Sequence, residues 1–232
     1  KSHEGPWNPG GEATTPAGKY VREYYGWGGF DAWTSGLQGY RKWHMEEKCN
    51  LIALAATGRQ ADYRKLRREV FKVLEDSSVG SFFQQMLRAA CLLPFEDQAI
   101  ADFEAIESKC EEFMVADRIG ATNRSQVRIG YAFLQYRLGK HAECLEILEP
   151  LPSSLPEADP WWMWDCYTNK RLLTVLANYD QMPPAEIADT IEHVRQQVAL
   201  NQSKVFGSVH DGWVQIAKTN LLIEDVEQLV VR

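Results

Sequence analysis

The sequence predicts an all-α fold in which antiparallel helix pairs stack into a solenoid, preceded by an irregular arm rich in glycine and aromatic residues. From residue 36 onward, apolar residues recur at intervals of three and four, the pattern of helices with one buried face. No stretch shows the sustained alternation of apolar and polar residues that is typical of strands. We therefore divide the chain into an arm, residues 1–35, and a helical-repeat domain, residues 36–232.

The arm combines two features that rarely occur together. Nine of the 16 glycines lie before residue 40, and glycine at this density disfavours a long helix. Disordered tails are poor in aromatic residues, whereas the arm contains seven of them. We expect an irregular arm whose rings pack on the helical body, on one another or on a partner. A sugar-binding platform of Trp and Tyr rings is the alternative.

Proline, glycine and capping residues mark the helix boundaries. Pro94 ends one helix, because proline lacks a backbone donor and clashes with the preceding turn. Asn123 is a candidate N-cap for a helix over residues 124–138, and Gly139 can end that helix in a left-handed conformation. The pair Pro183–Pro184 opens a later helix. About nine helices with short connections result, which implies antiparallel neighbours.

Residues 125–158 contain the strongest repeat signal, with the sequence SQVRIGYAFLQYRLGKHAECLEILEPLPSSLPEA. This segment resembles a tetratricopeptide repeat, a helix–turn–helix unit of roughly 34 residues. The resemblance assigns four of the family's features to the segment: the large-small pair Tyr131 and Ala132, the turn glycine Gly139, the small residue Cys144 and the closing proline Pro156. The segment departs from the family at Arg128 and Gln135, where the family favours Trp and Tyr.

A fainter copy of this unit covers residues 43–75, with Gly58 at the turn and Tyr63 in place of the small residue. The order of segments over residues 43–230 is also similar to the tetratricopeptide-like C-terminal regions of some large bacterial serine/threonine kinases and WD-repeat proteins. The sequence ACLLP at residues 90–94 is the most specific part of that similarity. The Gly-rich loop, His-Arg-Asp and Asp-Phe-Gly motifs of a kinase do not occur here. The resemblance therefore implies a helical appendage, or a stand-alone relative, without the catalytic part.

Charge and motif content argue against several classes of function. The net charge of −7 disfavours nucleic-acid binding, since phosphate contacts need Lys and Arg. Apolar stretches are far shorter than the roughly 20 residues of a membrane span. The sequence contains no P-loop, dinucleotide fingerprint, His-Glu-x-x-His or Gly-x-Ser-x-Gly motif, and its five histidines are widely separated. We therefore expect no cofactor and no metal. The sequence does not indicate a cellular compartment.

The five cysteines are odd in number and widely scattered, with no Cys-x-x-Cys pair. A disulfide framework is typical of small secreted chains with dense, even cysteines. We therefore expect buried free thiols on helix faces.

A helical-repeat body without a catalytic motif predicts a non-catalytic scaffold that binds a protein or peptide. We expect its contacts off the Val127–Leu138 core stripe of the best repeat, and at an aromatic cluster that begins the next helix pair. The candidate contact residues are Arg128, Gln135, Tyr136, Arg137, Trp161 and Trp164. Two alternatives stay open: a structural subunit of a larger complex, or an enzyme acting on carbohydrate or peptide with a site between arm and helices. A pocket with convergent titratable groups would favour the enzyme, and a broad groove the scaffold.

Overall fold

The computed structural model describes the backbone of residues 13–25, 39–77, 80–95, 103–116, 120–154, 161–208 and 212–230. It also describes their side chains, except those of residues 25, 39–44, 81, 161–163, 201–208 and 212. The helices are α1 (Pro16–Tyr25), α2 (Gly39–Ala56), α3 (Gln60–Glu75), α4 (Gly80–Ala90), α5 (Phe103–Val115), α6 (Ala121–Arg137), α7 (His141–Leu148), α8 (Trp161–Asn178), α9 (Pro184–Ser208) and α10 (Gly212–Val230), with a 3-10 turn at Tyr179–Gln181. Every regular element in these ranges is helical, which confirms the all-α prediction.

Both turn glycines adopt the conformation predicted for them. Gly58 and Gly139 have φ of 67° and 75°, the positive φ values among the described residues. After α6, the N–H of Gly139 donates to the Tyr136 carbonyl at 3.0 Å, and the N–H of Lys140 donates to the Gln135 carbonyl at 2.9 Å. The turn after α2 makes the same two bonds around Gly58. Each helix therefore ends in a Schellman motif, which satisfies carbonyls that the helix leaves free.

The described part of the arm contains a helix, so the irregular conformation expected there is wrong for α1. Pro16 occupies its first position, where proline costs no hydrogen bond. The hydroxyl of Thr15 accepts the N–H of Gly18 at 2.9 Å and caps the helix. Tyr20 is buried, with its ring centroid 5.6 Å from that of Trp213. Tyr20 therefore packs on the helical body, one of the three arrangements expected for the rings of the arm, and most of the arm lies outside the described residues.

Two further boundary predictions had different outcomes. Helix α9 begins at Pro184, as predicted. The prediction that Asn123 caps the next helix is wrong, because α6 already begins at Ala121 with Gly120 as its N-cap. The carbonyl of Gly120 accepts the N–H of Arg124 at 3.1 Å and closes the first turn upstream of Asn123.

Five helices pack in succession and close on themselves. Helix α2 contacts α4, α4 contacts α6, α6 contacts α8, α8 contacts α10, and α10 contacts α2 again. Helices α3, α7 and α9 each pack against two consecutive members of this series, while α1 packs on α2 and α5 on α6. In an open solenoid each unit contacts its neighbours only. The contact between α2 and α10 therefore differs from the open groove expected from the sequence.

Candidate partner-binding pocket

A pocket of about 440 Å³ lies where the C-terminal ends of α6, α8 and α10 meet the start of α7. Its volume falls within the roughly 300–1,000 Å³ of clefts that bind small ligands. Apolar residues from α7, α8 and α10 line it: Ala142, Leu145, Leu176, Ala177 and Leu229. Leu176 is buried, while Leu145 and Leu229 are half-buried and expose apolar surface to a ligand.

Aromatic and polar side chains complete the lining. The rings are those of Tyr136, His141 and Tyr179, and the 3-10 turn after α8 adds Asp180 and Gln181. Tyr136 and Tyr179 are half-buried, whereas the other three residues are exposed. A cleft that combines apolar and aromatic surface with polar groups has the mixed composition of a binding site.

The Schellman motif at Gly139 brings two of these rings together. Because the chain reverses within three residues, the end of α6 lies beside the start of α7. The rings of Tyr136 and His141 consequently stack, with centroids 5.5 Å apart and planes 26° apart. The guanidinium of Arg137 lies 5.2 Å from the centre of the Tyr136 ring. Burial raises the pKa of Tyr136, with Asp225 and Cys144 adding to the rise and Arg137 opposing it, so the phenol stays neutral.

The pocket contains two exposed titratable groups, His141 and Asp180. A general base is usually held in place by a hydrogen bond from a second side chain. His141 and Asp180 are both exposed, and neither hydrogen-bonds a side chain among the described residues. Within the same ranges, no three His, Cys, Asp or Glu residues lie close enough to hold a metal ion.

Arg137, one of the predicted contact residues, is buried instead, with 5% of its side chain exposed. Its Nε donates to the Cys91 carbonyl at 2.8 Å, and its terminal nitrogen donates to the carbonyl of Leu92 and the carboxylate of Asp225. The expectation that Arg137 faces solvent is therefore wrong. Its five donors match a set of carbonyls that the end of α4 leaves free.

Two further side chains, Tyr63 and Arg67, donate hydrogen bonds to carbonyls at the end of α4. Together with Arg137 they form what we call the clamp around residues 90–94. The hydroxyl of Tyr63 donates to the Ala89 carbonyl at 2.7 Å. A terminal nitrogen of Arg67 donates to the carbonyls of Leu93 at 3.1 Å and Pro94 at 3.0 Å. Of the six consecutive carbonyls of residues 89–94, all except that of Ala90 thus receive a side-chain donor.

The other predicted contact residues also differ in their exposure. Gln135 is 2% exposed, and its Nε2 donates to Glu107 at 2.7 Å. Trp164 is 3% exposed. The expected exposure of both residues is wrong, because Gln135 contacts α5 through Glu107 and Trp164 is buried near the start of α8. Arg128 is half-buried, and the side chain of Trp161 lies outside the described residues.

A buried ion pair joins α4 to α8. Both carboxylate oxygens of Asp165 accept from Arg88, at 2.6 and 2.7 Å, and Lys218 of α10 lies 3.8 Å away. The side chains of Arg88 and Asp165 are 2% and 0% exposed. Burial by itself raises the pKa of Asp165, but the two cations and the hydrogen bonds from Arg88 and Asn169 outweigh it and hold that pKa below its usual value. This centre is inaccessible to solvent, so we assign it to stability.

The cysteines are not candidate nucleophiles. All five are buried and none is in a disulfide, which confirms the prediction of free thiols. Burial raises the pKa of Cys91, Cys144 and Cys166 to about 12, and that of Cys110 well above its usual range. Since the thiolate is the reactive form, these thiols are inert at neutral pH.

Comparison of the chain with family models, with curated proteins and with solved structures finds no match. Among the helices in the described ranges, none has the length and apolar character needed to cross a membrane. The geometry of the pocket therefore carries the functional argument.

Proposed function

We propose that this protein is a non-catalytic scaffold of tetratricopeptide-like helix pairs that binds a protein or peptide partner. The observation that carries the proposal is the pocket at the ends of α6, α8 and α10, which exposes apolar and aromatic surface. In this proposal the pocket receives a side chain of the partner. Side chains that fill such pockets supply much of the binding energy of an interface.

The shape of the body supports a binding site at one end. The contact between α2 and α10 closes the series of helices, so a partner gains less from a concave face than in an open solenoid. The pocket itself is open to solvent, since His141, Asp180 and Gln181 in its lining are exposed. Tyr136 lines the pocket and thereby connects the predicted contact set to this end of the molecule.

The two alternatives receive less support. An enzyme needs oriented titratable groups, and His141 and Asp180 hydrogen-bond no other side chain in the described ranges. A permanent subunit buries a large apolar interface. The large apolar residues that are exposed in the described part of the chain lie on five different helices: Tyr24, Val73, Val115, Leu200 and Val230. No single described helix therefore presents an apolar face to solvent, which favours a reversible partner.

The proposal is tested by filling the pocket. Ala142 is exposed and lines it, so Ala142→Trp places a large ring in the cleft without displacing the core. Ala188→Trp is the matched control, because Ala188 is exposed on α9 away from the pocket. Both variants and the unaltered protein are used as baits, and the retained proteins are quantified by mass spectrometry.

We expect at least one protein to be retained by the unaltered chain and by Ala188→Trp, and to be lost with Ala142→Trp. Equal circular-dichroism spectra and melting temperatures of the three baits show that the fold is intact. Identical sets of retained proteins for all three baits would overturn the pocket as the binding site.

A further inference from the structure

Three helices direct the same pole toward the pocket. Tyr136 lies in the last turn of α6, Leu176 in that of α8 and Leu229 in that of α10, and all three line the cleft. The C-terminal end of a helix carries about half a negative charge, because its last carbonyls have no partner within the helix. The Schellman motif satisfies some of these carbonyls in α6, but the orientation of the three dipoles favours a cation in the pocket.

The side chains add to this preference. Asp180 contributes a carboxylate, and no Lys or Arg is among the described residues that line the cleft. Tyr179 is half-buried, and its ring packs against no other described aromatic ring. The face of a tyrosine ring attracts an ammonium or guanidinium group. The hydroxyl of Tyr136 makes no hydrogen bond to a described residue and can accept one from a ligand.

Nearby positive charges are already neutralised. Arg137 pairs with Asp225, and Lys140 pairs with Glu107 at 2.6 Å. The N-terminal end of α7 also lies at the pocket and favours an anion, but its first turn contains Glu143. An anionic ligand would therefore be repelled by the C-terminal ends of three helices and by one carboxylate. It would be attracted only by the N-terminal end of α7.

We propose that the pocket takes a basic side chain, lysine or arginine, of the partner, an inference that rests on the function proposed above. The aliphatic stem of such a side chain packs against Leu145, Leu176 and Leu229. Its charged group then lies beside the ring of Tyr179 and the carboxylate of Asp180. Long basic side chains combine an apolar stem and a charged tip in this way.

The test uses small analogues of single side chains, which requires no knowledge of the partner. The N-acetyl methylamides of lysine, norleucine and glutamate are titrated to millimolar concentration into protein with ¹³C-labelled leucine methyl groups. Norleucine has the stem of lysine without its charge. The measured quantity is the dissociation constant obtained from the shifts of the methyl signals of Leu145, Leu176 and Leu229.

We expect the lysine analogue to bind about tenfold more tightly than the norleucine analogue, from the combined attraction of an aromatic ring and a carboxylate. The glutamate analogue should leave the three leucine signals unshifted. Equal affinity for the lysine and norleucine analogues, or tighter binding of glutamate, overturns the basic preference while leaving a side-chain pocket. If none of the analogues shifts these signals, the pocket is not a side-chain site and the proposed function fails with the inference.

A pair of matched variants separates the carboxylate from its surroundings. Asp180→Asn keeps the shape of the side chain and should weaken binding of the lysine analogue about two- to fivefold, the effect of one exposed ion pair. Asp189→Asn removes an exposed charge of α9 outside the pocket and should leave binding unchanged. An equal loss in both variants would attribute the preference to the overall charge of the protein and overturn the assignment to Asp180.

Discussion

The Nε of Arg137 donates a hydrogen bond to the backbone carbonyl of Cys91 at 2.8 Å, across 46 residues of sequence. The same guanidinium bonds to Leu92 and to Asp225, so one side chain connects α6 with the end of α4 and with α10. A helix end that is buried needs such donors, because its last carbonyls have no intrahelical partner. This arginine therefore stabilises the fold and is not available to a partner.

Replacing Arg137 should destabilise the fold. Arg137→Met removes the donors to two carbonyls and leaves the carboxylate of Asp225 without its partner. We expect the free energy of unfolding to fall by about 2–4 kcal/mol, as for other broken buried pairs, measured by urea denaturation. Arg128→Met, on a half-buried arginine of the same helix, should change it by less than about 0.5 kcal/mol. Equal effects of the two substitutions would contradict the clamp.

The two turn glycines should have similar and additive effects. A Cβ at Gly58 or Gly139 meets no atom within 4 Å, so alanine there is opposed only by the positive φ. We expect a loss of about 1–2 kcal/mol for each substitution, and additivity in the double variant because neither α2 nor α3 packs against α6 or α7 in the described part of the chain. At Gly120, an N-cap with φ of −59°, alanine meets no left-handed strain, so Gly120→Ala should cost less than about 1 kcal/mol, the loss typical of placing alanine at a cap. An unchanged free energy of unfolding in Gly139→Ala would contradict the strain expected from the positive φ at this turn.

Local signals in the sequence predicted these turns, but they did not predict that the polar residues of α6 are buried. Gly139 and Pro184 act through their own backbone, so their positions are readable from neighbouring residues. Gln135 and Arg137 lie beside the apolar stripe of α6, and a periodic pattern assigns them to solvent. Their partners are 28, 45, 46 and 88 residues away along the chain, so only the packing of the helices reveals them.

The sequence did not predict the pocket either, although it did predict Tyr136 as a contact residue. Its lining comes from the ends of four helices and a 3-10 turn that are separated by up to 93 positions, from Tyr136 to Leu229. A scan for exposed aromatic residues finds Tyr136 but gives no reason to join it with Asp180. The arrangement depends on the closure of the helices, which no local pattern encodes.

The buried carboxylate of Asp165 should make stability depend on acid pH. Its pKa in the folded protein lies below the usual value of 3.8, so its contribution is complete above that value and is lost as the pH falls through the folded pKa. Asp165→Asn should cost about 3–5 kcal/mol at pH 7, since it leaves Arg88 buried without a counter-charge. The difference from the unaltered protein should narrow below about pH 4. Urea titrations from pH 7 to pH 3 measure it, with exposed Asp189→Asn as the control, and a constant difference would contradict the ion pair.

The five thiols should be unreactive in the folded protein. All are buried, and the pKa of three of them is raised to about 12. We expect the unreduced native protein to react with a disulfide reagent at pH 8 only as fast as it unfolds, and the denatured protein to release five equivalents of free thiol. Fast reaction of one thiol before unfolding, or fewer than five in the denatured chain, would contradict the structure.

Removing the hydroxyl should lower the free energy of unfolding at Tyr63 but not at Tyr136. The hydroxyl of Tyr63 is buried and donates to the Ala89 carbonyl at 2.7 Å, so Tyr63→Phe leaves that carbonyl without a donor and should cost about 1–3 kcal/mol. The hydroxyl of Tyr136 bonds to no described residue, and Tyr136→Phe should leave the free energy of unfolding unchanged within about 0.5 kcal/mol. Urea denaturation at pH 7, where both phenols are neutral, measures the two variants under the same conditions. A large loss from Tyr136→Phe would show that its hydroxyl stabilises the fold and is not free to meet a ligand. Equal, small losses from both would place the Tyr63 hydroxyl in contact with water and remove it from the clamp around residues 90–94.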